Sequence, residues 1–165
     1  MMAEYYRPNA GIVVFNRQRK VLLCLRNDIT DAWQFPQGGI EKGETPLQAA
    51  LRELKEETSV TSVLPIKTLN KAARYRFTPE IIASMQQRGF NNVGQDMYWT
   101  LAFFEGEDSE INLQTEHPEF SSFRWGTIEE AYQLIADFKK SAYEIVVKEF
   151  APIIAEYIYP IDKQS

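Results

Sequence analysis

The stretch from residue 36 to residue 60, PQGGIEKGETPLQAALRELKEETSV, constrains the fold more than any other part of the chain. It opens with a loop that contains three glycines and continues through TPLQ, residues 45–48. A threonine N-cap, a proline at the first helical position and a glutamine at the third are typical of a helix start. The stretch therefore predicts a tight loop that leads directly into a helix over residues 46–58.

The predicted helix has one apolar face, and the rest of the chain alternates strands with helices. The i, i+3, i+4, i+7 spacing that packs a helix on a sheet is filled by Leu47, Ala50, Leu51 and Leu54. Segments rich in β-branched and aromatic residues predict strands over residues 11–16, 20–26, 33–36, 63–69, 73–77, 97–105 and 121–125. The first two should pair as a hairpin. Cap residues at 127 and 141 predict helices near 128–138 and 142–158, with a short one between 79 and 89. The pattern predicts an α/β sandwich.

Composition limits the class of protein. A chain of 165 residues suits a single domain, residues 1–165. A net charge of −5 argues against non-specific coating of nucleic acid but leaves a local basic pocket open. The one cysteine, Cys24, lies in an apolar run, which predicts a buried thiol and a reducing compartment. No apolar run reaches the length of a signal peptide or membrane helix, so we predict a cytoplasmic protein without a membrane partner.

Three carboxylates crowd the end of the predicted helix. Glu53, Glu56 and Glu57 share one side at i, i+3, i+4 spacing, near the negative C-terminal end, and Lys55 points elsewhere. One interpretation is a solvated acidic face. The glycine-rich loop favours another, because glycine lets backbone carbonyls approach a ligand closely. Carbonyl and carboxylate oxygens are the ligands of Mg²⁺ and Mn²⁺, so the stretch indicates a divalent-metal site that could grip a polyphosphate.

Residues 38–60 resemble the Nudix box, a glycine, five residues, a glutamate, seven residues, then Arg-Glu-apolar-x-Glu-Glu-x-Gly-apolar. The matching positions are Gly38, Glu44, Arg52, Glu53, Leu54, Glu56, Glu57 and Val60. Ser59 stands where the box has its last glycine. The resemblance implies an α/β/α sandwich with a mixed sheet and a loop-helix-loop catalytic motif. It also implies hydrolysis of a nucleoside diphosphate linked to another group.

The resemblance assigns roles to the box residues. It implies that Glu53, Glu56 and Glu57 are catalytic and bind two or more Mg²⁺ or Mn²⁺ ions, with Glu53 or Glu57 as the possible base. The carbonyl of Gly38 becomes a further ligand. The remaining pair, Glu44 and Arg52, becomes a structural ion pair that ties the loop to the helix.

Segments outside the box resemble the group of bacterial RNA pyrophosphohydrolases and plant-type diadenosine tetraphosphate hydrolases. They are YRPNAGIVVFN, AWQFPQGGIEKGE, INLQTE, PEFSSFRW and DFKKSAYEIVVKEFA. The PEF motif implies that Glu119 is another metal ligand rather than a surface acid. The sole histidine, His117, has no place in the family pattern and is interpreted as a solvated loop residue.

Two basic–aromatic segments are candidates for substrate binding. ARYRF contains Tyr75, and DFKKS contains Phe138 and Lys139. Such residues can stack a base and neutralise phosphate. The positions match those that hold the nucleobase in the family, although the aromatics could instead belong to the core. Arg7 and Arg26 are weaker candidates for phosphate contacts.

The sequence thus predicts a metal-dependent enzyme that cleaves a pyrophosphate bond in 5′-triphosphate RNA or in dinucleoside polyphosphates such as diadenosine tetraphosphate. One alternative is a house-cleaning nucleoside triphosphate pyrophosphatase. Another is a catalytically silent, nucleotide-sensing domain, which the intact glutamate set argues against. One departure concerns substrate preference: Tyr98 stands where relatives commonly have a lysine.

The break in the box at Ser59 has a conformational consequence. Helices often end in a left-handed residue, which is usually glycine because other residues pay about 1–2 kcal/mol there. Either Ser59 adopts positive φ, or the helix ends by another route. The chain must still turn sharply after Glu57, so we favour positive φ.

Overall fold

A computed structural model of the protein describes residues 3–159. The strands are β1 (Tyr5–Phe15), β2 (Val21–Arg26), β3 (Trp33–Gln34), β4 (Gln37–Gly39), β5 (Val63–Thr68), β6 (Ala73–Arg76), β7 (Asn92–Phe104) and β8 (Phe120–Gly126). The α-helices are α1 (Pro46–Thr58), α2 (Pro79–Gln87), α3 (Ile128–Leu134) and α4 (Lys140–Glu156). Short 3₁₀ turns lie at Asp108–Glu110 and Asp137–Lys139.

The strands form one mixed sheet with helices on both faces. Its order is β3-β2-β1-β7-β5, and β4, β6 and β8 pair with β1, β7 and β2 respectively. The central pair, β1 and β7, is parallel, whereas the other pairs are antiparallel. Helix α1 packs on one face through Ala49, Ala50 and Leu54, while α3 and α4 cover the other face. The predicted α/β sandwich is therefore confirmed.

A cluster of buried hydrophobic side chains lies on each face of the sheet. Phe35 stacks on Tyr143 of α4 at 5.1 Å between ring centroids, and its amide donates a hydrogen bond of 3.0 Å to the tyrosine hydroxyl. Cys24 is fully buried on the α1 side, and this burial raises the pKa of its thiol. The predicted core thiol is confirmed. No helix in residues 3–159 is long and apolar enough to span a bilayer.

Several sequence-predicted boundaries need correction. The β1–β2 hairpin is present, but β1 begins earlier than predicted, at Tyr5, and β4 was not predicted at all. Helix α3 ends at Leu134 instead of residue 138, because a 3₁₀ turn follows. Helix α4 starts at Lys140, and Ser141 is not its cap: the serine hydroxyl donates to the carbonyl of Arg74 at 2.9 Å.

Local signals define both ends of α1. The Gln48 amide donates to the Thr45 hydroxyl at 3.1 Å, and the Thr45 amide donates to the Gln48 side chain at 2.9 Å. At the other end Ser59 adopts φ 69°, so the predicted left-handed conformation is confirmed. Its amide donates to the Lys55 carbonyl at 2.9 Å, and its hydroxyl donates to the carbonyl of Asn112 at 2.8 Å.

The hydrogen bond from the Ser59 hydroxyl to Asn112 changes the effect that a glycine at position 59 would have on stability. Glycine relieves the positive-φ strain but loses the bond to Asn112 and gains freedom in the unfolded chain. We therefore expect Ser59→Gly to stay within about 1 kcal/mol of the parent protein. Ser59→Ala keeps the strain and loses the bond, so it should be the less stable variant by about 1 kcal/mol. Chemical denaturation checks both. Equal stability of the two variants would contradict the strain argument. The kcat of both variants should stay within about twofold of the parent value.

Candidate active site

The glutamates of α1 differ sharply in exposure. Glu57 is buried, with 4% of its surface exposed, and its Oε2 accepts a hydrogen bond of 3.1 Å from the Gln37 amide. Its Oε1 is buried without a hydrogen-bond partner. The Glu53 side chain is 14% exposed and that of Glu56 is 58% exposed. The cluster therefore runs from solvent into the protein along one side of the helix.

Gly38 allows β4 to approach the helix. A Cβ atom added at this position would overlap the carboxylate of Glu53. Only glycine fits there without displacing that side chain. The close approach brings the backbone of β4 beside the Glu53 carboxylate of α1.

Arg52 joins the loop to the helix. Its Nε and Nη2 donate to the two carboxylate oxygens of Glu44 at 2.6 and 2.9 Å, and Nη2 also donates to the Gly39 carbonyl at 2.9 Å. This is the expected Glu44–Arg52 pair, and the arginine holds the pKa of Glu44 down at about 2. Arg52 also reaches Glu53 at 2.8 Å and Glu56 at 3.3 Å. The sequence interpretation, which gave Arg52 only one partner, missed this neutralisation of the cluster.

Glu119 comes from a distant loop to face Glu57. That loop is fixed to the end of β2, because the Asn27 amide donates to the Glu119 carbonyl at 3.0 Å. Burial first, and then the neighbouring carboxyl group of Glu119, raise the pKa of Glu57 to about 11. Glu53 adds to this effect. The pKa of Glu53 is also raised, mainly by burial and against the influence of Arg52.

These features fit a bound cation. The buried, unpartnered Oε1 of Glu57 and the carboxyl of Glu119 beside it need a positive charge if both are to ionise. Within residues 3–159, no three acidic, histidine or cysteine side chains are arranged to hold a metal ion by themselves, so backbone or water oxygens would have to complete a site. The donor set is all oxygen, which suits Mg²⁺ or Mn²⁺.

A cavity of about 1040 Å³ opens beside these carboxylates. Gly38, Gly39, Glu53 and Glu119 line one part of it. The residues predicted to bind substrate also line it; they are Arg7, Arg26, Tyr75, Phe138 and Lys139. The tertiary structure thus brings segments from seven parts of the chain around one space.

An aromatic pair and a buried lysine form one wall of the cavity. The rings of Tyr75 and Phe138 lie 5.9 Å apart, and the Lys139 ammonium lies 5.9 and 5.8 Å from their centroids. Tyr75 is 3% exposed and its hydroxyl donates to Gln95, so it belongs to the core as well as to the wall. Burial, followed by the charge of Arg26, lowers the pKa of Lys139 to about 8.

Two arginines complete the positive side of the cavity. Arg7 lies against Gly39, where a Cβ atom would overlap its guanidinium group. Arg26 makes a two-point pair with Asp28 at 2.9 and 2.7 Å. Arg26 therefore has a partner already, whereas Arg7 is held over the loop that precedes α1.

Sequence reasoning missed part of the lining. Helix α2 contributes Ile81, Ser84 and Met85, the residue that caps it contributes the further cation Arg88, and β7 contributes Gln95. The segment containing α2 was suspected as a wall but could not be assigned. Tyr98 is not among the lining residues, since alternate residues of β7 face opposite sides of the sheet. His117 is exposed and lies outside the lining.

Comparison with known proteins identifies the family of this chain. Residues 5–148 match the NUDIX domain family. The RNA pyrophosphohydrolase of Caulobacter vibrioides is 43% identical over 149 residues, which cover 88% of this chain and 86% of the relative. Nudix hydrolase 26, a chloroplastic protein of Arabidopsis thaliana, is 40% identical over 152 residues, which cover 90% and 70%.

Solved structures share the fold at lower identity. The Escherichia coli dihydroneopterin triphosphate pyrophosphohydrolase has a TM-score of 0.68 at 22% identity, covering 88% of this chain and 99% of that one. The Ap4A hydrolase of Caenorhabditis elegans has a TM-score of 0.61 at 19% identity, covering 87% and 98%.

The fold and the glutamate-lined loop and helix define a hydrolase that acts on pyrophosphate bonds. The chain belongs to the Nudix family.

Proposed function

We propose that this protein is a divalent-metal-dependent pyrophosphohydrolase that acts on 5′-triphosphate RNA ends, on dinucleoside polyphosphates, or on both. One observation carries the proposal. A single cavity brings Glu53 of α1 and Glu119 together with an aromatic pair and three cationic side chains, those of Arg7, Arg26 and Lys139. A nucleotide whose base lies against the aromatic pair would direct its phosphates towards the carboxylates.

The metal ligands would be Glu53, Glu56, Glu57, Glu119 and the carbonyl of Gly38. Mg²⁺ or Mn²⁺ bound there would acidify a water molecule and neutralise charge on the phosphates. Glu57 accepts a backbone hydrogen bond on one oxygen and keeps the other free, an arrangement suited to receiving a proton. Glu53 is the other candidate base, and its contact with Arg52 keeps its carboxylate oriented.

The opposite wall of the cavity would orient the substrate. Tyr75 and Phe138 offer ring faces for a nucleobase, and Lys139, set beside both rings, offers a charge for phosphate. Arg7 would contact phosphate next to the loop. Tyr75 is only 3% exposed, so it would act mainly by supporting the ring of Phe138 at the cavity wall.

The similarity to bacterial RNA pyrophosphohydrolases, near 40% identity, supports RNA 5′ ends as a substrate. The fold shared with an Ap4A hydrolase leaves dinucleoside polyphosphates open. The alternative of a silent sensing domain is not favoured, since all the box carboxylates are present and clustered. The buried single cysteine accords with a cytoplasmic location, which we also propose.

Product analysis with Mg²⁺ tests the proposal. Diadenosine tetraphosphate, 5′-triphosphate RNA and single nucleoside triphosphates should be compared at equal concentrations. We expect kcat/KM for RNA or the dinucleotide to exceed that for nucleoside triphosphates by at least about tenfold, which corresponds to ~1.4 kcal/mol. Preference for single nucleotides would support a house-cleaning enzyme, and no hydrolysis of any substrate would support a silent domain.

Phe138→Leu tests the stacking role. Leucine keeps apolar volume but lacks a ring face, so KM should rise about tenfold through the loss of ~1–3 kcal/mol per stacked base. Phe138 is only partly buried, so folding should be retained. Phe90→Leu, at an exposed position outside the cavity, is the control. An unchanged KM together with lower stability would assign Phe138 to the core alone.

A further inference from the structure

A second cavity, of about 610 Å³, lies between the β5–β6 connection and α4. It is separate from the site described above and shares no lining residue with it. Its charged and polar lining includes Lys67, Lys71, Arg74, Ser141, Lys148 and Glu149. The cavity therefore has four cationic side chains and one acidic side chain, in a protein whose net charge is −5.

The lysines of this cavity differ from its arginine in having no ion-pair partner within residues 3–159. Arg74 already pairs with Asp96 at 2.8 Å, so its charge is largely offset. Lys67, Lys71 and Lys148 are exposed, and none has a hydrogen-bond or ion-pair partner for its ammonium group in the part of the chain that the structure describes. Three free ammonium groups against one glutamate make a site for an anionic ligand that carries more than one charge.

The two cavities lie on either side of one thin wall. On β6, Tyr75 lines the first cavity, and its chain neighbours Ala73 and Arg74 line the second. At the start of α4, Lys139 lines the first and Ser141 lines the second. The Ser141 hydroxyl bonded to the Arg74 carbonyl closes the wall between them. The nucleobase wall of the first cavity is thus the near edge of the second.

We propose that the second cavity binds the phosphodiester backbone of RNA downstream of its 5′ end. This inference rests on the proposed function, because it requires an RNA 5′ end in the first cavity. A chain leaving the Tyr75–Phe138 wall would cross at Ser141 and meet Lys71 and Lys148. The apolar surface of Leu69 and Ile145 between these cations suits ribose and base. A dinucleoside polyphosphate has no downstream backbone and would not engage this site.

Substrate length provides the test. We would measure kcat/KM for a triphosphorylated dinucleotide, a triphosphorylated unstructured ten-nucleotide RNA and diadenosine tetraphosphate. The variants are Lys71→Glu, Lys148→Glu and the double variant. Lys20→Glu matches each single variant in charge, is exposed and lines neither cavity. In the parent protein we expect the longer RNA to be the better substrate.

In the double variant, kcat/KM for the ten-nucleotide RNA should fall about tenfold, while kcat/KM for the two short substrates should stay within about twofold of the parent value. Only the longer RNA is long enough to contact Lys71 and Lys148 in the parent protein. The slope of log(kcat/KM) against log salt for the longer RNA should become shallower by about 0.7 for each phosphate contact removed. Lys20→Glu should change neither quantity.

Three results would overturn the inference. They are equal kcat/KM for both RNA lengths in the parent protein, equal losses on both lengths in the double variant, and an equal loss in Lys20→Glu and the single variants. If the triphosphorylated dinucleotide is still cleaved in these cases, the proposed function is retained and only the inference about the second cavity fails. If neither RNA is cleaved, the proposed RNA activity fails and this inference fails with it.

Discussion

Glu57→Gln is expected to reduce kcat on the order of 10³-fold, a loss typical of removing a group that acts directly on transition-state charge. Glutamine keeps the shape of the side chain and can still accept the hydrogen bond from the Gln37 amide. It lacks the charge needed to bind a cation or to accept a proton. Steady-state kinetics with saturating Mg²⁺ measure the effect.

The same variant should be more stable without metal. Glu57 is 4% exposed and lies beside Glu119, and with its pKa raised to about 11 it must take up a proton to be buried there at neutral pH, a cost that the neutral glutamine avoids. The metal-free Tm should therefore rise, while the increase in Tm that Mn²⁺ gives the parent protein should shrink.

Glu144→Gln is the matched control for this pair of effects. It makes the same chemical change at an exposed position of α4 and should alter neither kcat nor Tm. Full activity of Glu57→Gln would remove Glu57 from the mechanism. A lower metal-free Tm would contradict the argument from burial.

Gly38→Ala is expected to lower kcat about 100-fold, because small displacements of catalytic groups can cost that much. The new methyl group would overlap the carboxylate of Glu53 and push that side chain away from the loop. Kinetics and thermal denaturation of the purified variant distinguish a displaced site from an unfolded protein.

Gly43→Ala separates backbone strain from crowding. Gly43 has φ 85° and nothing within 4 Å of an added Cβ atom. Alanine there should cost about 1–2 kcal/mol of stability through its positive φ, yet leave kcat within about twofold. If Gly38→Ala kept most of its activity, the close approach of β4 to Glu53 would not matter for catalysis.

The sequence alone determined the local structure of the catalytic segment. The capping box at Thr45, the end of α1 at Ser59 and the Glu44–Arg52 pair involve residues close in the chain, so spacing is enough to specify them. The glutamate cluster follows from helical periodicity in the same way. The resemblance to the Nudix box added the fold and the roles of these residues.

Boundaries were less accurate where tertiary contacts compete with local signals. Ser141 has the spacing of a helix cap, but its hydroxyl is used by the carbonyl of Arg74 on β6. Strand β4, only three residues long, is specified by pairing with β1 and by the space that Gly38 leaves for Glu53. No local pattern encodes such pairing.

Only the tertiary structure decided which distant groups meet. Glu57 and Glu119 come together because the loop before β8 is bonded to the end of β2, and this proximity adds to burial in raising the pKa of Glu57. Helix α2 becomes a wall of the cavity through packing that its own sequence does not specify. The lysines of the second cavity likewise come together only where β5 and the β5–β6 connection meet α4, because electrostatics and burial depend on distance in space and not along the chain.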